Sequence, residues 1–239
     1  MHDQAQGLRT LNQPKPVRVI AVTSGKGGVG KSSVSVNLSL SMIQAGQRVM
    51  LMDADLGLAN VDVLLGLQPV YNLSHVLSGE CSLEQTLLEG PLGLQIVPAS
   101  SGQKHMSELS TTENAGLIRA FSELNRQLDC LVVDTAAGIA DSVVTFAQAS
   151  QEVVVVVCNE PASLTDAYAL IKVLNQTCDV KRFQILANMV DNDLQGRQLF
   201  EKLCRVTDRF LDVHLGFLGS VPRDDYLRRA VRAQRPVLC

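Results

Sequence analysis

One octapeptide limits what this chain can fold into more than any other feature: Gly25-Lys26-Gly27-Gly28-Val29-Gly30-Lys31-Ser32. It follows an apolar run of strand length, Val17–Thr23, and opens a segment long enough for a helix. The pattern G-x-x-x-x-G-K-[ST] in that setting is a phosphate-binding loop. Glycines let the loop wrap so that successive backbone N–H groups face phosphate oxygens, and the dipole of the following helix adds positive potential at the same point. Lys31 is expected to reach the β- and γ-phosphates of a nucleotide, with the Ser32 hydroxyl completing a Mg2+ shell.

The rest of the chain supports the fold that such a loop requires. Further apolar runs of strand length fall at Arg48–Asp53, Leu94–Pro98, Cys130–Asp134, Glu152–Cys158, Phe183–Val190 and His214–Val221. Most lack polar alternation, as strands covered on both faces do. Stretches of helical pattern lie between most of them. Leu117, Phe121, Leu124 and Leu128 recur at helical spacing, and Ser163-Leu164-Thr165-Asp166 reads as a capping box opening a helix Ser163–Leu174. Alternation of strand and helix predicts an α/β fold with a doubly wound, mainly parallel sheet flanked by helices. One segment contradicts its own periodicity. Val34–Met42 alternates with period two, as a strand would, yet the loop before it demands a helix N-terminus, so a helix is expected there.

The length of 239 residues suits one large domain, expected over 17–239. Residues 1–16, with the stretch Asn12-Gln13-Pro14-Lys15-Pro16, read as an appended peptide and linker. A hydrophobic content of 46% against 19% charged residues excludes disorder. The net charge of −3 provides no overall field for nucleic acid; the last 39 residues carry +3 and the first two hundred −6. No apolar run approaches the eighteen residues needed to span a bilayer. The six cysteines are at least twenty positions apart, which disfavours zinc and sequence-local iron–sulfur sites. Buried reduced thiols in a cytoplasmic protein are the expectation.

A Mg2+–nucleotide site needs a carboxylate at the end of a neighbouring strand, and Leu131-Val132-Val133-Asp134 supplies it. Two more follow the Arg48–Met52 run, Asp53 and Asp55. Alone, such a pair is as readily a helix cap or solvated turn; beside a phosphate loop, a role around the γ-phosphate becomes the better reading.

With Lys26 five residues before Lys31, the loop resembles the deviant Walker A of the MinD/ParA class of P-loop ATPases. That resemblance runs over about residues 17–237. It implies an ATP- and Mg2+-dependent ATPase that closes into a nucleotide-sandwich homodimer, in which Lys26 reaches the phosphates bound by the other subunit. It implies nucleotide contacts from Gly25, Lys26, Gly27, Gly28, Val29, Gly30, Lys31, Ser32 and Ser33. Asp53–Asp62 resembles the first switch region, so Asp55 would position the attacking water and Asp53 support a Mg2+ shell formed with Ser32 and Asp134. The second switch resembles Asp134-Thr135-Ala136-Ala137-Gly138, with Ala136 where many relatives have proline. Asn188 and the Pro222-Arg223-Asp224 turn resemble the adenine-reading positions, and Asp166 the position used for docking regulators.

Asp3-Gln4-Ala5-x-x-Leu8-Arg9 resembles the activator peptide of the flagellar-number regulators, the FlhG/FleN branch of that class. Its glutamine, here Gln4, would enter the active site of an FlhF-like, signal-recognition-type GTPase. A flagellar transcription activator is a further partner the branch implies. Relatives commonly end in a basic amphipathic helix lying on the inner face of the membrane; none is visible before Cys239, which reads as a membrane helix either truncated away or lacking. Arg223, Arg228, Arg229, Arg232 and Arg235 read as a solvated face or as a contact for anionic lipid or DNA. Three rivals stand beside this reading. A DNA-segregation ATPase would need non-specific DNA affinity, a nitrogenase-like electron donor would need paired cysteines after the second switch, and an interaction module would bind nucleotide without turnover.

Overall fold

The uninterrupted valines of β6 (Glu152–Val157) make sense once both faces of the strand are covered. Val154, Val156 and the following Cys158 belong to one buried cluster; Val153, Val155 and Val157 belong to another on the opposite face. In the computed structural model, which describes residues 16–55, 60–99, 121 and 128–238, this strand lies within an eight-stranded sheet. The strands are β1 (Arg18–Ser24), β2 (Val49–Ala54), β3 (Leu88–Glu89), β4 (Gln95–Val97), β5 (Cys130–Ala137), β6, β7 (Arg182–Val190) and β8 (His214–Pro222), and their spatial order is β3-β4-β2-β5-β1-β6-β7-β8. All pairings are parallel except β3 with β4, so the doubly wound, mainly parallel sheet expected from the sequence is the one observed. The short β3 escaped the sequence reading because two residues carry no periodicity.

Among the described residues the α-helices with defined bounds are α1 (Lys31–Gln44), α2 (Val61–Leu65), α3 (Leu73–Leu77), α4 (Leu83–Thr86), α5 (Asp141–Ala149), α6 (Pro161–Cys178), α7 (Asp193–Phe210) and α8 (Asp225–Arg232). Helix α1 contains the alternating stretch Val34–Met42. Its serines fit because each has an acceptor: Ser39 Oγ donates to the carbonyl of Ser35 at 2.8 Å, and Ser35 Oγ to the carboxylate of Asp134 on the sheet at 2.8 Å. Each hydroxyl is thus satisfied and can be buried against the sheet. Helix α6 corrects a prediction. It begins at Pro161 with Glu160 at the N-cap, two residues before the expected start, because proline at the first position has its φ already set for a helix. Ser163 is therefore inside the first turn, where its Oγ accepts from the N–H of Cys158 at 3.1 Å, and Asp166 is no capping residue. The segment 1–15, and of the Leu117–Leu128 pattern all but Phe121 and Leu128, lie outside the described residues.

In a parallel sheet the carboxyl ends of all strands share one edge, and the order reverses around β1, which opens a crevice there. The phosphate loop follows β1, Asp53 is the penultimate residue of β2, and Asp134 lies in β5. Glu160 follows β6, Asn188 is near the end of β7, and Pro222 ends β8. Among the described residues no helix is long and apolar enough to cross a membrane.

Candidate nucleotide site

Helix α1 starts at Lys31 directly after Gly30, and no side chain caps its first turn. The amino-terminal N–H groups of a helix have no partner within it, so an uncapped start after a glycine loop is suited to an anion. Gly30 adopts φ 83°, and a Cβ there would lie 2.4 Å from Asn188 Nδ2. Only glycine meets both demands. Asn188, buried in β7, donates from Nδ2 to the carbonyl of Val29 at 2.7 Å and so ties the loop to the neighbouring strand. The start of the loop is as tightly held, because Gly25 packs directly on the backbone of α6 at Asp166 and Ala167.

Inside the site, Lys31 Nζ meets Asp134 Oδ1 at 2.9 Å, with 7% and 0% of the two side chains exposed. Ser35 Oγ donates to the same oxygen at 2.8 Å. Asp134 Oδ2 is buried with no hydrogen-bond partner. A buried carboxylate oxygen without a donor is costly unless something cationic or protic completes it. That oxygen is a hard donor of the kind a cation such as Mg2+ takes, and Ser32, expected to share it, is the second residue of α1.

Asp53 pairs in register with Asp134 across β2 and β5 and is also fully buried. Its Oδ1 accepts from the N–H of Asp55 at 3.1 Å, and its Oδ2 from the N–H groups of Asn60 and Val61 at 3.0 and 3.1 Å. Here Asp53 therefore organises the turn that starts α2, which is the cap reading of the pair. Burial first, and then the adjacent Asp134, push its carboxyl up to about 7, against the pull of those three N–H groups. Asp55 is half-buried just past β2; residues 56–59, in the segment expected as the first switch, lie outside the described residues. The segment expected as the second switch begins in β5, which pairs with β1, and Thr135 Oγ1 lies 3.2 Å from the carbonyl of Val22 and 2.9 Å from that of Ala136.

Lys26 is bound within its own chain, its Nζ 2.6 Å from Glu160 Oε2. Beside the loop lies a cleft of about 390 Å³ whose walls include Ser33, Val34, Leu186, Asn188, Pro222 and Asp224. The three positions expected to read a base are thus gathered at one apolar cleft that Ser33 also borders. Asp224 has a second task, accepting from the N–H of Tyr226 at 2.7 Å as N-cap of α8. Asp166 is in the second turn of α6, one loop residue away from Lys26, and Gln4 lies outside the described residues.

Sequence reasoning missed Ser35, Glu160 and the apolar wall of the cleft. Ser35 was recoverable, since position i+4 from Lys31 faces the same way on a helix. Glu160 was recoverable only through the topology that makes β1 and β6 neighbours.

The likenesses agree with this arrangement. The chain is 58% identical over 230 residues to the antiactivator FleN of Pseudomonas aeruginosa, an alignment covering 96% of this chain and 82% of that protein. It is 37% identical over 246 residues to the flagellum site-determining protein YlxH of Helicobacter pylori, covering 98% and 83%. Among solved structures it resembles MinD in the MinC:MinD cell division complex of Aquifex aeolicus, with a TM-score of 0.75, 26% identity and coverage of 93% and 88%. The ParA family model, described as an NUBPL iron-transfer P-loop NTPase, matches residues 15–239. With its phosphate loop, strand-end carboxylates and sheet order, the chain belongs to the ParA/MinD family of P-loop ATPases.

Proposed function

We propose that this chain is an ATP-driven switch that sets flagellar number or placement. The observation that carries the chemistry is the Lys31–Asp134 pair at the uncapped head of α1, with Asp134 Oδ2 buried and unpaired beside it. The likeness to FleN and YlxH carries the biological setting.

In this reading the N–H groups from Gly27 to Ser33 and the Lys31 ammonium bind the phosphates, while Asn188, Pro222 and Asp224 border the base. A Mg2+ ion, held by Ser32 and Asp134 with Asp53 behind them, would neutralise charge at the β- and γ-phosphates. Asp55 orients the water that attacks. Lys26 crosses to the nucleotide of a second copy and stabilises the charge of the transition state there. Dimer closure then builds a surface for partners, and hydrolysis removes it. Residues 1–16 serve as activator peptide and linker for an FlhF-like GTPase, with Gln4 as the working residue, ahead of an ATPase domain at 17–239. Asp166 contributes to a docking surface on α6.

The deciding experiment is sizing of the protein with ADP and with ATP, using Asp55→Ala to block hydrolysis. The variant is expected to become a dimer only with ATP and Mg2+; a monomer at high concentration under those conditions removes the proposal.

A further inference from the structure

The contact between Lys26 and Glu160 spans 134 positions of sequence and is framed by backbone on both sides. On the lysine side, Ser24 Oγ donates to the carbonyl of Lys26 at 2.9 Å. Gly25 is pressed against α6, where a Cβ would lie 2.2 Å from the carbonyl carbon of Asp166. On the glutamate side, the N–H of Glu160 donates to the carbonyl of Cys158 at 2.8 Å, and Pro161 follows at the first helical position. Ser163 Oγ holds the N–H of Cys158 in turn. Both backbones are thus tied to α6 or to the strand end beside it, and the contact itself is made by the two side chains.

The local electrostatics point the same way. The hydrogen bond from Lys26 and its charge, with Arg223 adding to them, hold the Glu160 carboxyl below its usual range. The hydrogen bond to Glu160 raises the Lys26 ammonium, with Asp166 adding a smaller push in that direction. The lysine is thus drawn toward its own α6 by two carboxylates.

We infer that Glu160 is a positioning residue that sets the threshold for ATP-driven closure, because it holds Lys26 within its own protomer and closure requires Lys26 to leave. This rests on the reading of Lys26 as a ligand to the other copy's phosphates. The carboxylate and the phosphate compete for one ammonium, and a dimer releases two such pairs. Glu160 remains half exposed, so the contact is screened by water and tunes closure rather than forbidding it.

The test is sedimentation of the full chain, its Glu160→Gln variant and its Glu160→Asp variant, titrated in protein at fixed Mg2+ and a slowly hydrolysed ATP analogue. Nucleotide affinity and melting temperature are followed in parallel. Glu160→Gln is expected to tighten the dimer by roughly 3- to 30-fold with both controls unmoved, and Glu160→Asp, which keeps the charge, to fall between it and the parent. A purely structural role for Glu160 would not tighten a dimer. If the parent dimerises and Glu160→Gln is equal or weaker, the inference is overturned while the reading of Lys26 survives. If the parent stays monomeric with the analogue, both are overturned.

Discussion

Asp53 and Asp134 stand side by side at paired positions of β2 and β5, both fully buried, and a single ammonium, that of Lys31, is bonded to only one of them. Asp134 has Lys31 and Ser35 as donors, whereas Asp53 has three backbone N–H groups and, among the described residues, no cation. The pair is asymmetric by construction, and the carboxyl that lacks a cation is the one pushed up to about 7.

That shift makes the protein's stability depend on pH in a defined direction. Because the folded-state value exceeds the unfolded one, the folded chain binds the Asp53 proton more tightly. The stabilisation is complete below about pH 4 and is lost as pH rises to about 7, by up to on the order of 4 kcal/mol from the shift itself. Urea unfolding of the parent and of Asp53→Asn, without nucleotide, measures it. The parent's advantage over the variant should shrink from pH 4.5 to 7 and stay constant above 8; a difference independent of pH would show that Asp53 is ionised throughout.

The buried ion pair makes a second, non-additive prediction. Removing one partner of a buried pair leaves an uncompensated charge, at a typical cost of about 3–5 kcal/mol. Asp134→Ala should destabilise the chain by about that much, since Lys31 is 7% exposed and Ser35 is no substitute anion. Lys31→Met should do comparable harm by leaving two adjacent buried carboxylates. The double variant should lose less than the sum, and a double-mutant cycle in urea reads the difference. Additive losses would mean that Lys31 and Asp134 are not energetically paired.

Much of this was readable from residues alone, for reasons that differ by element. The phosphate loop is legible because a glycine loop and its lysine are local in sequence. Asp134 is legible because an apolar run followed by a carboxylate is local too, although β5 continues past it to Ala137. The Asp53–Asp134 pairing is not, because β5 inserts between β1 and β2 from far along the chain, Asp134 lying 81 positions after Asp53, and register across a sheet leaves no mark in either strand. The start of α6 was misplaced for a related reason. Ser163–Asp166 has the composition of a cap, but Pro161 sets the helix earlier and Ser163 is used instead to bind β6.

The glycines of the loop differ in why they are glycines, and alanine scanning should separate them. At Gly25 a Cβ would strike the backbone of α6, which cannot rotate away, so Gly25→Ala should lower stability by about 3 kcal/mol or more. At Gly30 the obstacle is the Asn188 side chain together with a positive φ, for a loss of about 1–3 kcal/mol and weaker nucleotide binding. At Gly27 there is nothing within 4 Å and no positive φ, so Gly27→Ala should fold with a change within about 0.5 kcal/mol. Thermal melts of the three proteins rank them, and a Gly27→Ala loss as large as that of Gly25→Ala would contradict the packing described.

The last prediction concerns the first ten residues. The described chain begins with Pro16 and Val17, both exposed, and enters β1 at Arg18, which is the end of the strand away from the phosphate loop. Seven residues of extended chain, on the order of 23 Å, separate that entry from the nucleotide site. Arg18 is anchored independently, by its ion pair with Glu152 at 2.6 Å and its N–H to the carbonyl of Asp129 at 3.1 Å. Deleting residues 1–10 should therefore leave ATP turnover and ATP-driven dimerisation within about twofold of the parent, because the contacts among the described residues that position the loop are all kept. Stimulation of an FlhF-like GTPase, measured as phosphate release in a mixture of the two proteins, should disappear, and should fall equally with Gln4→Ala. Stimulation that survives the deletion would move the activating group into the ATPase domain, and a loss of ATP turnover would tie these residues to the nucleotide site instead.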